Sequence, residues 1–354
     1  MKKMKRAALV LLMMIMSVSS NAQNIIQIIG QNGPFRKDTI INLKNDSEQT
    51  HLPVSIIKGK EAGPVFSIVA GIHGYEYPPV IAVQELLKEI KPENVKGTLI
   101  IVPIANMEAF RERTPFLNPL DRKNLNTAFP GSPAGTVTDQ IADALTKEII
   151  SNSSIFLDIH GGDANEDLLP FVCYYDRKDT PESTHLAYQL SVQSQIGHLV
   201  SYPYHLTSSE PAKYAFKQAT QQGITALSIE AGKLGTVQNE NVHLIKTAVY
   251  HMLEYTGNYQ GEKLKLHKKK TPVYLNRQDY VRVPETGIFY SNLKSGDTVK
   301  KNQILGVITD EFGNKKQDVI SDTNGIILYK IGTPPVNKGE TLFCIGYSDK
   351  QFTN

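Results

Sequence analysis

The chain is 354 residues long, with a formal net charge of +3, 40% hydrophobic and 21% charged residues. This is an ordinary globular composition at a length that suits two domains, or one large domain with an appendage. Four of its positive charges (Lys2, Lys3, Lys5 and Arg6) lie at the extreme N-terminus; without them the charge is about −1, which excludes the basic signature of a nucleic-acid or anionic-lipid binder.

Residues 1–22 have the form of a signal peptide: a basic start, a continuous apolar run over 7–18, and Ser20-Asn21-Ala22 as a small-x-small cleavage site. The apolar run is shorter than the roughly 20 residues that span a bilayer. No cysteine lies near the cut to carry a lipid, and no later run is long enough to span. The expectation is an exported protein, periplasmic or secreted, without a membrane span after cleavage. Residues 24–60 read as a strand-rich lead-in, with β-branched runs at 25–29, 39–43 and 54–57.

Residues 65–70 (VFSIVA) form a short buried strand that Gly71 breaks, and His73 and Glu76 follow three positions apart. Open α/β sheets place their sites at the carboxyl ends of strands. Imidazole nitrogen and carboxylate oxygen are both good zinc donors at about 2.0–2.2 Å, although H-x-x-E alone is a weak signal. Pro78 and Pro79 sit where a helix can begin, and Val80, Val83, Leu86, Leu87 and Ile90 repeat at helical spacing. A second buried strand spans 99–104. A helix over 136–151 opens on Thr136-x-x-Asp139, a capping-box pattern. The third buried strand, 155–159, stops at His160-Gly161-Gly162.

The alternation continues with a strand at 171–175, helices near 184–195 and 211–222, a strand at 224–229 and a helix at 241–255. It predicts a parallel or mixed sheet covered by helices on both faces, within a first domain over 23–257. Residues 258–272 shift to Lys and Gly and read as a linker, with Lys268-Lys269-Lys270 a solvated surface run rather than a binding patch. From 273 to 354 short strands alternate with Gly, Asn and Pro turns, predicting a smaller all-β domain. Cys173 and Cys344 fall in different domains and form no C-x-x-C, so they read as buried free thiols and not as finger-type zinc ligands.

His160 repeats the position of His73, a strand end followed by glycine. A lone strand-end histidine is more often a satisfied core residue. Two such histidines with Glu76 would supply three ligands to one ion and leave a fourth position for water, as catalytic zinc requires. Glu230 ends the strand ITALSI in the same way and is placed to take a proton from that water. Asp158, two before His160 on the same strand face, either orients the imidazole through its free N–H or belongs to an unrelated buried network.

These residues and the segments AGIHGYE, RTPFLNPLDRKNLNTAFPGSPAGT, IFLDIHGG, LSIEAG and RVPETGIFYSNLKSGDTVKKNQILGVITDEFG resemble the succinylglutamate desuccinylase/aspartoacylase family of zinc hydrolases, relatives of metallocarboxypeptidases, over nearly all of the chain beyond the leader. The resemblance implies a carboxypeptidase-like α/β fold, a mixed sheet flanked by helices with a smaller C-terminal all-β domain. It implies one zinc per chain on His73, Glu76 and His160, Glu230 as general base and later proton donor, and Arg113 as the guanidinium that polarises the scissile carbonyl. Asn126 matches a substrate-binding asparagine, and Arg122 is a neighbouring candidate. The family usually reads N-L-N-R where this chain has Asn124-Leu125-Asn126-Thr127, so the fork that would grip a substrate carboxylate is missing. Arg122, Lys123 or Lys233 are alternative sources of that charge. The β domain is expected to wall off the cleft and limit substrate size, with Tyr290 facing inward.

The expected function is a zinc-dependent amidohydrolase that removes the acyl group from an N-acyl amino acid or similar small acylated amine. The alternatives are a metallocarboxypeptidase acting on short peptides or cell-wall peptides, and a zinc-containing binding protein without catalysis.

Overall fold

The computed structural model describes residues 25–45, 48–261 and 271–349. The leader, the Lys268–Lys270 run and most of the expected linker therefore lie outside the described residues. Among the described residues, no helix is long and apolar enough to cross a membrane.

The chain opens with α1 (Ile25–Ile29), a single helical turn rather than the expected strand. Its buried residues, Ile25 and Ile28, are three apart and so share a helix face, whereas a strand would have turned them to opposite sides. The hairpin β1 (Phe35–Lys44) and β2 (Gln49–Lys58) follows, then β3 (Val65–Ala70), α2 (Tyr77–Glu89), β4 (Thr98–Val102) and α3 (Met107–Glu112). Beyond a long loop come α4 (Val137–Ala144), β5 (Ile155–His160), the short β6 (Glu166–Leu168), β7 (Phe171–Asp176), α5 (Pro181–Gln193), β8 (His198–Pro203), α6 (Ala215–Gln221), β9 (Thr225–Glu230) and α7 (Asn239–Tyr255). The capping box at the start of α4 is present: Asp139 Oδ2 accepts from the Thr136 backbone N–H and from its hydroxyl, both at 2.9 Å.

These strands form one nine-stranded sheet in the order β1-β2-β4-β3-β5-β9-β7-β8-β10, where β10 is Val273–Leu275. The central strands β4, β3, β5 and β9 run parallel, and β7 joins β9 antiparallel. Strands covered on both faces must be apolar throughout. Accordingly Phe66, Ile68, Leu99 and Ile101 pack with α2, α5 and α7 on one face, while Val69, Ile100, Val102 and Phe156 pack with α1, α4 and α6 on the other.

From β3 the chain crosses through α2 to β4 on one side, and β5 then returns to the opposite side of β3. A crevice forms where the winding reverses, beyond the carboxyl ends of β3 and β5. The register puts Ala70 beside Ile159, and His160 beside Glu230.

The C-terminal part carries β11 (Arg277–Arg282), β12 (Gly287–Tyr290), β13 (Thr298–Val299), β14 (Ile304–Thr309), β15 (Lys315–Ile320), β16 (Gly325–Ile331), β17 (Pro335–Val336) and β18 (Thr341–Tyr347). They form two antiparallel sheets around a core that includes Phe289, Ile308 and Phe343. Of the expected linker, residues 258–261 and 271–272 are described. Asn258 is fully buried and donates to the carbonyls of Pro64 and Lys96, and β10 pairs with β8, so both flanks of the Lys-rich stretch are fastened to the large sheet. The β region is fastened in turn by β6, which adds to the edge of β16.

Candidate active site

Three strand ends supply the site. After β3, Gly71 turns the chain with φ +70°, a conformation that glycine adopts without penalty. Gly74 lets the loop lie against α3, where a Cβ would come within 2.1 Å of the Phe110 nitrogen. The loop thereby directs His73 and Glu76 over the crevice.

The Glu76 carboxylate bridges two imidazoles. Its Oε1 lies 2.6 Å from His73 Nδ1, its Oε2 3.0 Å from His160 Nδ1, and Oε2 also accepts the Gly161 backbone N–H at 3.2 Å. All three residues are buried. Burial opposes the charge on Glu76, but the charges and hydrogen bonds of His160 and His73 outweigh it and bring its pKa down to about 2. Burial opposes charge on both histidines as well, but Glu76 raises His73, and Asp158 followed by Glu76 raises His160 further.

Each imidazole is also held on its far side. His73 Nε2 lies 3.1 Å from Asn124 Oδ1, and its ring meets Phe116 edge-on at 6.0 Å. His160 Nε2 lies 3.2 Å from Asp158 Oδ2, off the angle of a hydrogen bond, and both fully buried Asp158 oxygens lack a hydrogen-bond partner. One donor atom each from His73, Glu76 and His160 lies within 4.8 Å of the others. Two imidazole nitrogens and a carboxylate are a donor set that zinc takes, and an ion drawing charge from His160 would give Asp158 a cationic imidazole to orient. The residues present therefore fit a zinc ion.

Glu230 stands beside His160 at the end of β9. Burial is the main cause that pushes its carboxyl up to about 8; His160 opposes this, while Glu76, Asp158 and Glu166 add to it. A carboxyl group poised near neutrality can accept a proton and return it.

A cavity of about 320 Å³ opens over these groups, with His73, Glu76, His160, Glu230 and Asn126 among its walls. Leu168 and Tyr202 line it from the large domain, and Tyr280, Tyr329 and Cys344 from the β region. Tyr290 does not take part: it is 53% exposed and absent from the walls. The wall tyrosines of the β region, Tyr280 and Tyr329, come from β11 and β16, the two strands that flank β18, whereas Tyr290 ends β12 in the other small sheet.

The arginines also lie elsewhere. Arg113 has φ 55° at the C-cap of α3, is exposed, and stays outside the cavity walls, although its charge is felt by the Tyr77 hydroxyl. Arg122 is exposed and off the walls as well. Lys123 is paired with Asp139 at 2.6 Å and Lys233 with Asp167 at 3.4 Å, so neither replaces the missing fork. The Thr127 hydroxyl donates to the Asn124 carbonyl at 2.9 Å.

Sequence reasoning passed over Asn124, Glu166 and the wall tyrosines Tyr202, Tyr280 and Tyr329. Asn124 stood in the N-L-N segment already singled out, and Glu166 in the acidic run that follows His160; the tyrosines carried no local signal. Cys173 and Cys344 are free and buried as expected, and burial pushes the Cys344 thiol up to about 12.

Residues 62–256 match the family model described as the Succinylglutamate desuccinylase/Aspartoacylase catalytic domain. A relative from Halomonas elongata, an N-alpha-acetyl-L-2,4-diaminobutyric acid deacetylase, is 30% identical over 321 residues, covering 88% of this chain and 90% of its own. Among solved structures, a succinylglutamate desuccinylase/aspartoacylase from Rhodobacter sphaeroides superposes with a TM-score of 0.79 at 23% identity, covering 91% of this chain and 98% of that one. The product-bound ectoine utilization protein EutE (DoeB) from Ruegeria pomeroyi gives 0.79 at 24% identity, covering 90% and 97%. The structural likenesses establish the common fold. The sequence matches make this chain a member of the succinylglutamate desuccinylase/aspartoacylase family, whose members are deacylating hydrolases.

Proposed function

We propose that this protein is an exported, zinc-dependent deacylase that hydrolyses the amide bond of a small N-acylated amine. The observation that carries the reading is the meeting of His73, Glu76 and His160 at one point beside Glu230, on the floor of a cavity of small-molecule size. The Halomonas relative, named for removing acetyl from a diamino acid, supports an N-acyl substrate. The signal-like residues 1–22 support export.

His73, Glu76 and His160 would hold the ion. Bound there, zinc would polarise the scissile carbonyl and lower the pKa of the attacking water. Glu230 takes the proton from that water and delivers it to the leaving amine nitrogen, which lets the C–N bond break without expelling an amide anion. Asn124 and Asp158 keep the two imidazoles turned toward the ion. Arg113 lies on the loop that brings Phe116 against His73, and its guanidinium is assigned to the developing oxyanion in the substrate complex. Tyr280 and Tyr329 narrow the cavity, which favours a small acyl amine over a peptide.

The test is acetate release from a panel of N-acetyl amines and N-acetyl amino acids, set against release of C-terminal residues from short peptides. Deacylation of the acetyl compounds that is lost on zinc removal and restored by zinc supports the proposal. Peptide trimming without deacylation would contradict it.

A further inference from the structure

The cavity walls present hydrogen-bond acceptors and, among the described residues, no lysine or arginine to match them. Asn126 Oδ1 is buried there without a hydrogen-bond partner. Glu166 lines the same cavity; its Oε2 accepts the Asp163 backbone N–H at 2.8 Å, and its other oxygen makes no hydrogen bond to protein among the described residues. Burial is the main cause that pushes the Glu166 carboxyl up to about 7. Among the described residues, no lysine or arginine lines the cavity, and the nearby Lys233 is turned to Asp167.

A substrate carboxylate entering this space would meet two further carboxyl groups, Glu166 and Glu230, with no lysine or arginine among the described wall residues to pair with it. An ammonium group would instead pair with the Glu166 carboxylate and keep it ionised, and Asn126 Oδ1 offers a second acceptor in the same cavity. A buried acceptor left unmet costs its desolvation, and a charged donor recovers more than a neutral one.

We propose that Glu166 and Asn126 form a subsite for a protonated amine of the substrate, so that the preferred class is a monoacylated diamine or related amide bearing a free amine. This deepens the deacylase reading and rests on it. Glu166 is a specificity residue in this account, since it binds the charged end and leaves bond cleavage to Glu230.

Three acetamides of similar length test it: N-acetylputrescine (cationic), N-pentylacetamide (neutral) and 4-acetamidobutyrate (anionic). Their binding is measured by calorimetry on the full zinc-loaded chain carrying Glu230→Gln, which removes turnover. The cationic probe should bind about tenfold or more tighter than the neutral one, and the anionic probe weakest. Adding Glu166→Gln, which retains an acceptor for the Asp163 N–H, should reduce the cation-to-neutral ratio about tenfold. Adding Asn126→Asp should increase it. Equal binding of the three probes, tightest binding of the anion, or a ratio untouched by Glu166→Gln would overturn the subsite. If Glu166→Gln does not fold, a ratio untouched by Asn126→Asp overturns it equally. Acetate release by the zinc-loaded wild-type chain is scored separately. Release without charge preference sinks the subsite and leaves the deacylase reading, whereas the predicted binding order without release leaves the subsite and sinks deacylation.

Discussion

His160 Nδ1 lies 3.0 Å from Glu76 Oε2, although the two residues are 84 positions apart. The contact exists because β3 and β5 are parallel neighbours whose ends open on one crevice. On the far side of the same imidazole, Asp158 Oδ2 approaches Nε2 at 3.2 Å. Replacing Asp158 by Asn should therefore weaken zinc binding about 10- to 100-fold, with saturation still at one ion per chain. Competition against a chelator of known affinity measures this; an unchanged affinity would remove Asp158 from the site.

Glu230→Gln should lower kcat about 10²- to 10⁴-fold while KM changes little, because the loss falls on proton transfer and not on substrate binding. Zinc content should stay the same. The unfolding midpoint above pH 8 should not fall, since the substitution removes a half-buried acid whose charge is opposed by its surroundings. Steady-state kinetics and thermal unfolding on the same preparation check both halves.

Arg113 is exposed in the free protein, so its contribution should appear only once substrate is bound. Arg113→Ala should lower kcat about 10²- to 10³-fold. A rise in KM alone would assign the residue to ground-state binding and contradict its oxyanion role.

The β region is held against the catalytic domain through Asp167, which accepts from the Ser295 backbone N–H at 3.0 Å and from its hydroxyl at 2.9 Å. Burial would raise this carboxyl, but the Ser295 hydrogen bonds and Lys233 outweigh it and hold it below its ordinary value of 3.8. An acid depressed in the fold adds stability that is present above the unfolded pKa and lost as the pH falls through the folded one. Asp167→Asn should thus be less stable than wild type at pH 7, with the gap closing as the pH falls below the ordinary value of 3.8 and through the depressed folded one. Urea unfolding across this range measures it; a gap that persists in acid would mean that the charge is not what docks the domain.

Much of this architecture was legible because buried strands in an α/β sheet cannot hide a polar end. His73, His160 and Glu230 each follow an apolar run, and the structure places those ends side by side. Where the sequence misled, the deciding contact was remote. The run 25–29 has β-branched composition, yet burial of Ile25 and Ile28 together requires a helical turn. Residue 258 opens a polar stretch, but its side chain satisfies two carbonyls of the large domain. Tyr290 and Tyr329 are equally aromatic in sequence, and only the sheet to which each strand belongs decides which of them faces the cavity.

The central claim is that His73, Glu76 and His160 act as one zinc site that serves hydrolysis. Its most direct test is zinc content and acetate release measured together on the wild-type chain, His73→Ala, Glu76→Ala and His160→Ala. The account predicts about one zinc per chain in wild type, with zinc and acetate release lost together in all three variants. Acetate release that persists in a variant stripped of zinc would contradict it.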